Sequence, residues 1–267
     1  LDVHIAFFEL FFISILTGIF GVLTGLGGGM LLVPILNAMG VDLHAAMGAS
    51  LISIITTSLT AGITESSRQF THLKAGMFLE TAAVVGAFTG TLLLPFLSVS
   101  VISIIFSVVL LFSAYTTYSR RTLETLVSSE QLDPTKIHLS NCSKRQLTNA
   151  WSLMLGGGVL SSILGVGSGA VKVLAMDQVL HLPYKVSTAT SNFMVGMTAT
   201  ASIGVYFSKG YIQSSLVFPV VVGIFVGALI GSKLLQKICS QRLREVFSGV
   251  VVLLGLHMFY AGITGTP

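Results

Sequence analysis

The sequence predicts an all-α polytopic membrane protein built from two inverted-topology repeats, each with a Gly-rich broken or short helix, with about 8–10 membrane segments in all. Three observations predict it. Of 267 residues, 53% are hydrophobic and only 9% charged, the balance of a chain that faces lipid. A doubled motif divides the chain: GLGGGMLLVPIL from residue 25 returns as GVGSGAVKVLAM from 165, and MGASLISIITTSLTAG from 47 returns as TATSNFMVGMTATASIG from 188. Finally, the basic residues gather in alternate loops, as membrane topology requires.

Each element follows from these signals. The first window, IAFFELFFISILTGIF, lacks a basic stretch ahead of it and runs on into more apolar sequence. It therefore reads as a spanning helix near 4–24 rather than a secretion signal, although Leu1 suggests a trimmed start. A Gly turn and a short apolar segment, 28–39, come next, followed by a helix rich in small residues, 45–63, and two further spanning helices, 75–96 and 99–118. These form an N-terminal repeat, 1–118, joined by a polar loop, 119–146, to a C-terminal repeat, 147–267. The second repeat passes through the same elements at 147–164, 168–180, 187–207, 212–233 and 243–263. GAFTG at 86 and GIFVGALIG at 223 space small residues along a helix face, a pattern read as close helix packing.

An odd number of elements in each half turns the second half over in the membrane. With the central loop cytoplasmic, carrying Arg120, Arg121, Lys136, Lys144 and Arg145, alternation puts Arg68, Lys74, Lys185, Lys233, Lys237, Arg242 and Arg244 on the same side. Of 14 basic residues, only Lys209 then falls outside and only Lys172 within the membrane. LPFLSVS, between the last two helices of the first half, has no basic residue, whereas its counterpart SKLLQKICSQRLR has four, the asymmetry that inverted repeats require. Both termini become extracytoplasmic, and the lipid bilayer is the chain's immediate partner. No nucleic acid is expected, because the Lys and Arg residues are scattered through loops rather than set on one face among aromatics. The two cysteines, Cys142 and Cys239, stand apart from each other and from histidines, so no metal, cofactor or thiol relay is expected. Without a nucleophile and base pair or a nucleotide loop, the chain does not read as an enzyme.

The Gly turns carry the functional signal. A helix of about 12 residues at 1.5 Å per residue spans only ~18 Å of a ~30 Å hydrocarbon core. The turn must therefore lie inside the membrane, where irregular backbone is tolerated only when it is buried in protein or lines a wet cavity. Glycine allows positive φ and close approach, and the N–H groups that begin the next helix favour anions. Lys172, one helical turn beyond Gly169, needs a carboxylate or a substrate to offset its burial. Asp177, five residues on, is past the ideal i+4 position but within reach of a loop or another helix. Glu9 and Glu80 are the other intramembrane carboxyls. Together with Asp177 they are candidates to carry a coupling proton, though each of the two lies within two turns of a helix end, the usual interfacial position. Thr190, Ser191 and Asn192, with Ser50 at the matching place in the first half, offer uncharged hydrogen bonds to an oxyanion and serve equally as N-caps.

GLGGGMLLVPIL followed by GVDLHAAMGASL, and GVGSGAVKVLAM followed by LPYKVSTATSNFMVGMTA, resemble the TauE/SafE sulfite exporter family, also called the toluene sulfonate uptake permease family. The resemblance covers both halves, from about Phe12 to Gly262, without the central loop. It implies a plasma-membrane transporter of small sulfur-containing anions such as sulfite, organosulfonates, sulfoacetate or thiosulfate. It carries over to Gly25, Gly27, Gly28, Gly29 and Pro34, and to Gly165, Gly167, Gly169, Lys172, Lys185, Thr190, Ser191 and Asn192. Ser168 departs from the glycine triplet and could add a hydroxyl to the site, and Leu174–Ala175 lacks a proline, which should leave the second short helix less kinked.

The expected anion site therefore comprises Gly27, Gly28, Gly29, Ser50, Gly167, Ser168, Gly169, Lys172, Thr190, Ser191 and Asn192. Transport would follow from rocking of the two halves about it, in a chain compatible with a homo-oligomer. The alternative reading is a non-transporting membrane scaffold or assembly protein whose Gly turns serve packing alone.

Overall fold

The computed structural model describes residues 3–25, 27–66, 73–119, 144–180, 184–234 and 240–264. The loop carrying Arg68, most of the central polar loop with Cys142, and the segment with Lys237 and Cys239 lie outside the described residues. Among those described, every regular element is helical, as expected of an all-α polytopic membrane protein. The first half contains α1 (Val3–Thr24), α2 (Gly29–Ala38), α3 (Leu43–Ser66), α4 (Leu73–Leu93, closed by a 3-10 turn at Leu94–Phe96) and α5 (Val99–Ser119). The second contains α6 (Lys144–Leu164), α7 (Gly169–Leu174, continued by a π-helical turn at Ala175–Val179), α8 (Tyr184–Ser208), α9 (Ser214–Leu234) and α10 (Ser240–Thr264). The second short segment does not simply run straighter for want of a proline. It widens instead, with Leu180 N–H reaching back to Ala175 O at 3.2 Å.

Five helices, α1, α3, α4, α6 and α9, are long and apolar enough to cross a membrane. α2 has 10 residues and cannot cross alone. α8 has 25 residues but is rich in Ser, Thr and Asn, and its position explains how it carries them. From Val186 to Asn192 every residue is buried, and so is every residue from Ala45 to Leu51 of α3, which packs beside it. Over these stretches the two helices meet protein on all sides, so the polar side chains there are spared from lipid. The outer helices show the opposite pattern. Phe8, Phe12 and Leu16 form an exposed stripe at i, i+4 and i+8 on α1, and Val108, Phe112 and Tyr115 form one on α5, the surfaces a bilayer would cover.

Packing pairs the halves with exchanged roles. α1 packs on α9 as α6 packs on α4, α3 packs on α9 as α8 packs on α4, and α3–α8 and α5–α10 pair across the two halves. The glycines repeat the exchange atom by atom. A Cβ at Gly227 of α9 would fall on Ile15 O of α1, and one at Gly86 of α4 would fall on Leu155 O of α6. Likewise Gly231 lies against Ile19 O and Gly90 against Val159 O. GAFTG and GIFVGALIG thus serve backbone-to-backbone packing, in which small side chains give the helices their close approach. One departure is plain: α2 packs against α10, and among the described residues no matching contact of similar extent joins α7 to α5.

Gly227→Ala should therefore destabilise the fold by about 1–3 kcal/mol, because its methyl meets a helix carbonyl that cannot yield. Gly156→Ala is the control: none of the described residues lies within 4 Å of its Cβ position, and the better helix former should leave the melting temperature level or slightly raised. Thermal unfolding in detergent compares the two.

Candidate functional site

The two Gly turns adopt the same backbone. Gly25 and Gly27 have φ of +71° and +77°, and Gly165 and Gly167 have +64° and +67°, values that other residues adopt only with strain. The position between the turn and the helix differs. Gly28 has φ −59° and Ser168 has φ −79°, so this site does not require glycine, and a serine is accommodated in the second half. The turns converge on one spot. A Cβ at Gly27 would stand 3.5 Å from Ile54 Cγ1 and 3.8 Å from Val195 Cγ2, and one at Gly167 would stand 3.3 Å from Ile54 Cδ1 and 3.6 Å from Val195 Cβ. One side chain from α3 and one from α8 are therefore shared by both turns.

Each turn is fixed by the opposite half. Gly25 abuts Thr188 of α8 and Gly165 abuts Met47 of α3, at equivalent places in the two halves. Ser191 Oγ donates to Gly25 O at 2.9 Å and lies 3.3 Å from Gly169 O, while Asn192 Nδ2 donates to Val22 O at 3.2 Å. These two side chains spend donors on backbone carbonyls where α1 ends and the turn begins, and Val22 O also accepts from Gly25 N–H at 3.3 Å. Ser50 Oγ occupies the place a Cβ on Gly29 would take. The hydroxyls of Ser50, Ser168 and Thr188 are buried and have no hydrogen-bond partner among the described residues. An unpaired buried hydroxyl costs about 1–3 kcal/mol, and here three of them flank one pair of turns.

Lys172 completes the arrangement. Its Nζ lies 2.8 Å from Glu80 Oε2, with the two side chains 0% and 2% exposed. Thr198 bridges them: its hydroxyl accepts from Lys172 Nζ and donates to Glu80 Oε1. Ser191, Val195 and Thr198, spaced i, i+4 and i+7, share one face of α8 and run from the first turn, past the junction, to the ion pair. Here the halves part company. By the same alignment the first half has Leu32 in place of Lys172, Val221 stands opposite Glu80, and Thr57 donates within its own helix to Ser53 O at 2.9 Å. Among the described residues, Lys172 and Glu80 are the only charged side chains that are buried.

The structure thus gathers Gly27, Gly28, Gly29, Ser50, Gly167, Ser168, Gly169, Ser191 and Asn192 about one junction, with Lys172 beside it. Thr190 is buried and turns its methyl to Gly76 of α4. Glu80 corrects an expectation: it is not at an interface but in the core, with Lys172. Glu9 is exposed on α1 between Phe8 and Phe12, away from the turns. The side chains of Asp177 and Lys185 lie outside those described. Two residues were missed, Thr188 and Thr198. Thr198 could have been found two turns beyond Ser191 on the same face, and Glu80 by its place among Gly76, Ala83 and Ala87, a stripe of small residues that turns inward.

Comparison with known proteins agrees in kind. The family described as Sulfite exporter TauE/SafE matches residues 10–258. The chain is similar to the probable membrane transporter proteins YunE of Bacillus subtilis, 22% identical over 97% of this chain and 99% of that one, and YdhB of the same organism, 24% identical over 93% and 98%. It is also similar to YfcA of Escherichia coli, 23% identical over 94% of this chain and 88% of that protein. No solved structure matches.

Proposed function

The chain belongs to the Sulfite exporter TauE/SafE family of membrane transporters, and on that premise we propose that it moves small sulfur-containing anions by alternating access at the paired Gly turns. The observation that carries this reading is the convergence of Gly27 and Gly167 on Ile54 and Val195, with the buried Lys172 one helical turn past Gly169. The turns supply backbone N–H groups, Ser50 and Ser168 supply hydroxyls without other partners, and Lys172 supplies the positive charge. Ser191 and Asn192 set the shape of the site from α8, while Thr190 beside them packs against Gly76 of α4. Ile54 and Val195 offer an apolar contact that suits the carbon-bearing part of an organosulfonate, a part that sulfite lacks. Glu9, Glu80 and Asp177 are the candidates for proton coupling.

The exchanged packing of α1–α9 and α6–α4 supports the two halves being inverted repeats, 1–118 and 147–267 about the 119–146 loop. In that topology the protein lies in the plasma membrane with both termini extracytoplasmic, and rocking of one half against the other exposes the junction to each side in turn.

A thermal-shift panel of sulfite, thiosulfate, sulfoacetate, taurine and sulfate tests the reading directly. A ligand that binds the folded state alone at 100 times its Kd stabilises it by about 2.7 kcal/mol, enough to raise the melting temperature by several degrees. At least one sulfur anion should produce that shift. A panel that moves nothing would favour a membrane scaffold whose turns only pack.

A further inference from the structure

Glu80 already occupies the partner position that an anionic substrate of Lys172 would need. The carboxylate is held by Lys172 Nζ at 2.8 Å and by the Thr198 hydroxyl, and at 2% exposed it has no water to retreat to. Were a substrate anion to take its place while Glu80 stayed ionised, two buried negative charges would face one ammonium. Proton uptake by Glu80 removes the conflict. The site is neutral before, as lysine ammonium with carboxylate, and neutral after, as lysine ammonium with a monoanion beside a carboxylic acid. A dianion would leave one negative charge uncompensated inside the membrane.

Resting on the transport reading above, we propose that each monoanion seated at Lys172 is carried together with one proton held by Glu80, so that transport is electroneutral and monoanions are selected over dianions. The step balances simply: a proton from the aqueous side binds the Glu80 carboxylate, its contact with Lys172 opens, and the anion takes the ammonium; release on the other side reverses each part. Thr198 can serve both states, because a hydroxyl can donate to the carboxylate or accept from the carboxylic acid. The other ionisable groups on the elements packed here are few. Arg145 is exposed at the start of α6, Tyr206 of α8 donates its hydroxyl to Ser162 O at 2.8 Å, and Lys74, Lys144, Asp177, Tyr184 and Lys185 have side chains outside those described. Among the described residues, Glu80 is thus the acid that touches Lys172.

Proteoliposomes with a pH indicator inside test this, using 4-toluenesulfonate as the monoanion probe and thiosulfate as the dianion. Toluenesulfonate entry should bring in about one proton per anion, at a rate that a potassium and valinomycin potential does not change, and thiosulfate should enter at least roughly tenfold more slowly. In Glu80→Gln the proton movement should vanish, and whatever net sulfonate entry remains should follow the membrane potential. Wild-type entry that leaves the internal pH unmoved and tracks the potential would overturn the coupling while leaving the transport reading intact. Absence of counterflow for toluenesulfonate, thiosulfate and sulfite alike would instead overturn transport itself, and the coupling with it.

Discussion

Replacing Lys172 by alanine is expected to abolish saturable sulfur-anion flux in proteoliposomes and, at the same time, to lower the stability of the protein. The second effect follows from the pairing. Without Lys172 the Glu80 carboxylate is left buried with only the Thr198 hydroxyl, and breaking a buried pair from one side costs about 3–5 kcal/mol. A loss of flux in Lys172→Ala alone could therefore reflect misfolding. The double variant Lys172→Met with Glu80→Gln separates the two effects, since it removes both charges and keeps apolar volume where the lysine stem lay. Its melting temperature should return toward that of the parent while flux stays absent, because nothing positive remains to hold the anion. Recovery of saturable flux in the double variant would assign Lys172 a structural role only.

That ion pair also marks where sequence reading stops. The Gly turns are legible because a cluster of glycines beside a segment too short to span has few explanations, and the backbone bears them out with four positive-φ glycines in two matched pairs. Element ends are legible too: the segment expected at 99–118 is α5 at Val99–Ser119, and the one expected at 212–233 is α9 at Ser214–Leu234. Lys172 stands out because a lone ammonium in apolar sequence demands an explanation. Its partner does not, since Glu80 joins it from another helix, and position along α4 alone suggested an interface. Only rotation about the helix axis distinguishes a carboxyl that reaches headgroups from one facing inward with Gly76 and Ala83. The roles of Ser191 and Asn192 were hidden for a similar reason. Sequence shows that a donor exists, but not that Gly25 O and Val22 O, across the halves, accept from it.

The turns themselves yield the second large effect, and the two glycines within each turn should fail differently. Gly25→Ala and Gly165→Ala should each destabilise by roughly 2–5 kcal/mol, the sum of about 1–2 for a side chain at positive φ and about 1–3 for overpacking. The overpacking is not relieved by a rotamer change. The new Cβ would lie 3.1 Å from the Thr188 Cα in the first case and 3.0 Å from the Met47 Cα in the second, and both are backbone atoms in fully buried stretches of their helices. Gly27→Ala meets nothing closer than 3.5 Å, so it should cost only the conformational term of about 1–2 kcal/mol. Yet its methyl enters the space between the two turns, against Ile54 and Val195, where the anion is proposed to sit. Flux should accordingly fall far more in Gly27→Ala than its melting temperature does, whereas in Gly25→Ala both fall together. If Gly27→Ala folds and transports like the parent, the junction of the turns is a packing contact and the anion must bind elsewhere along Lys172.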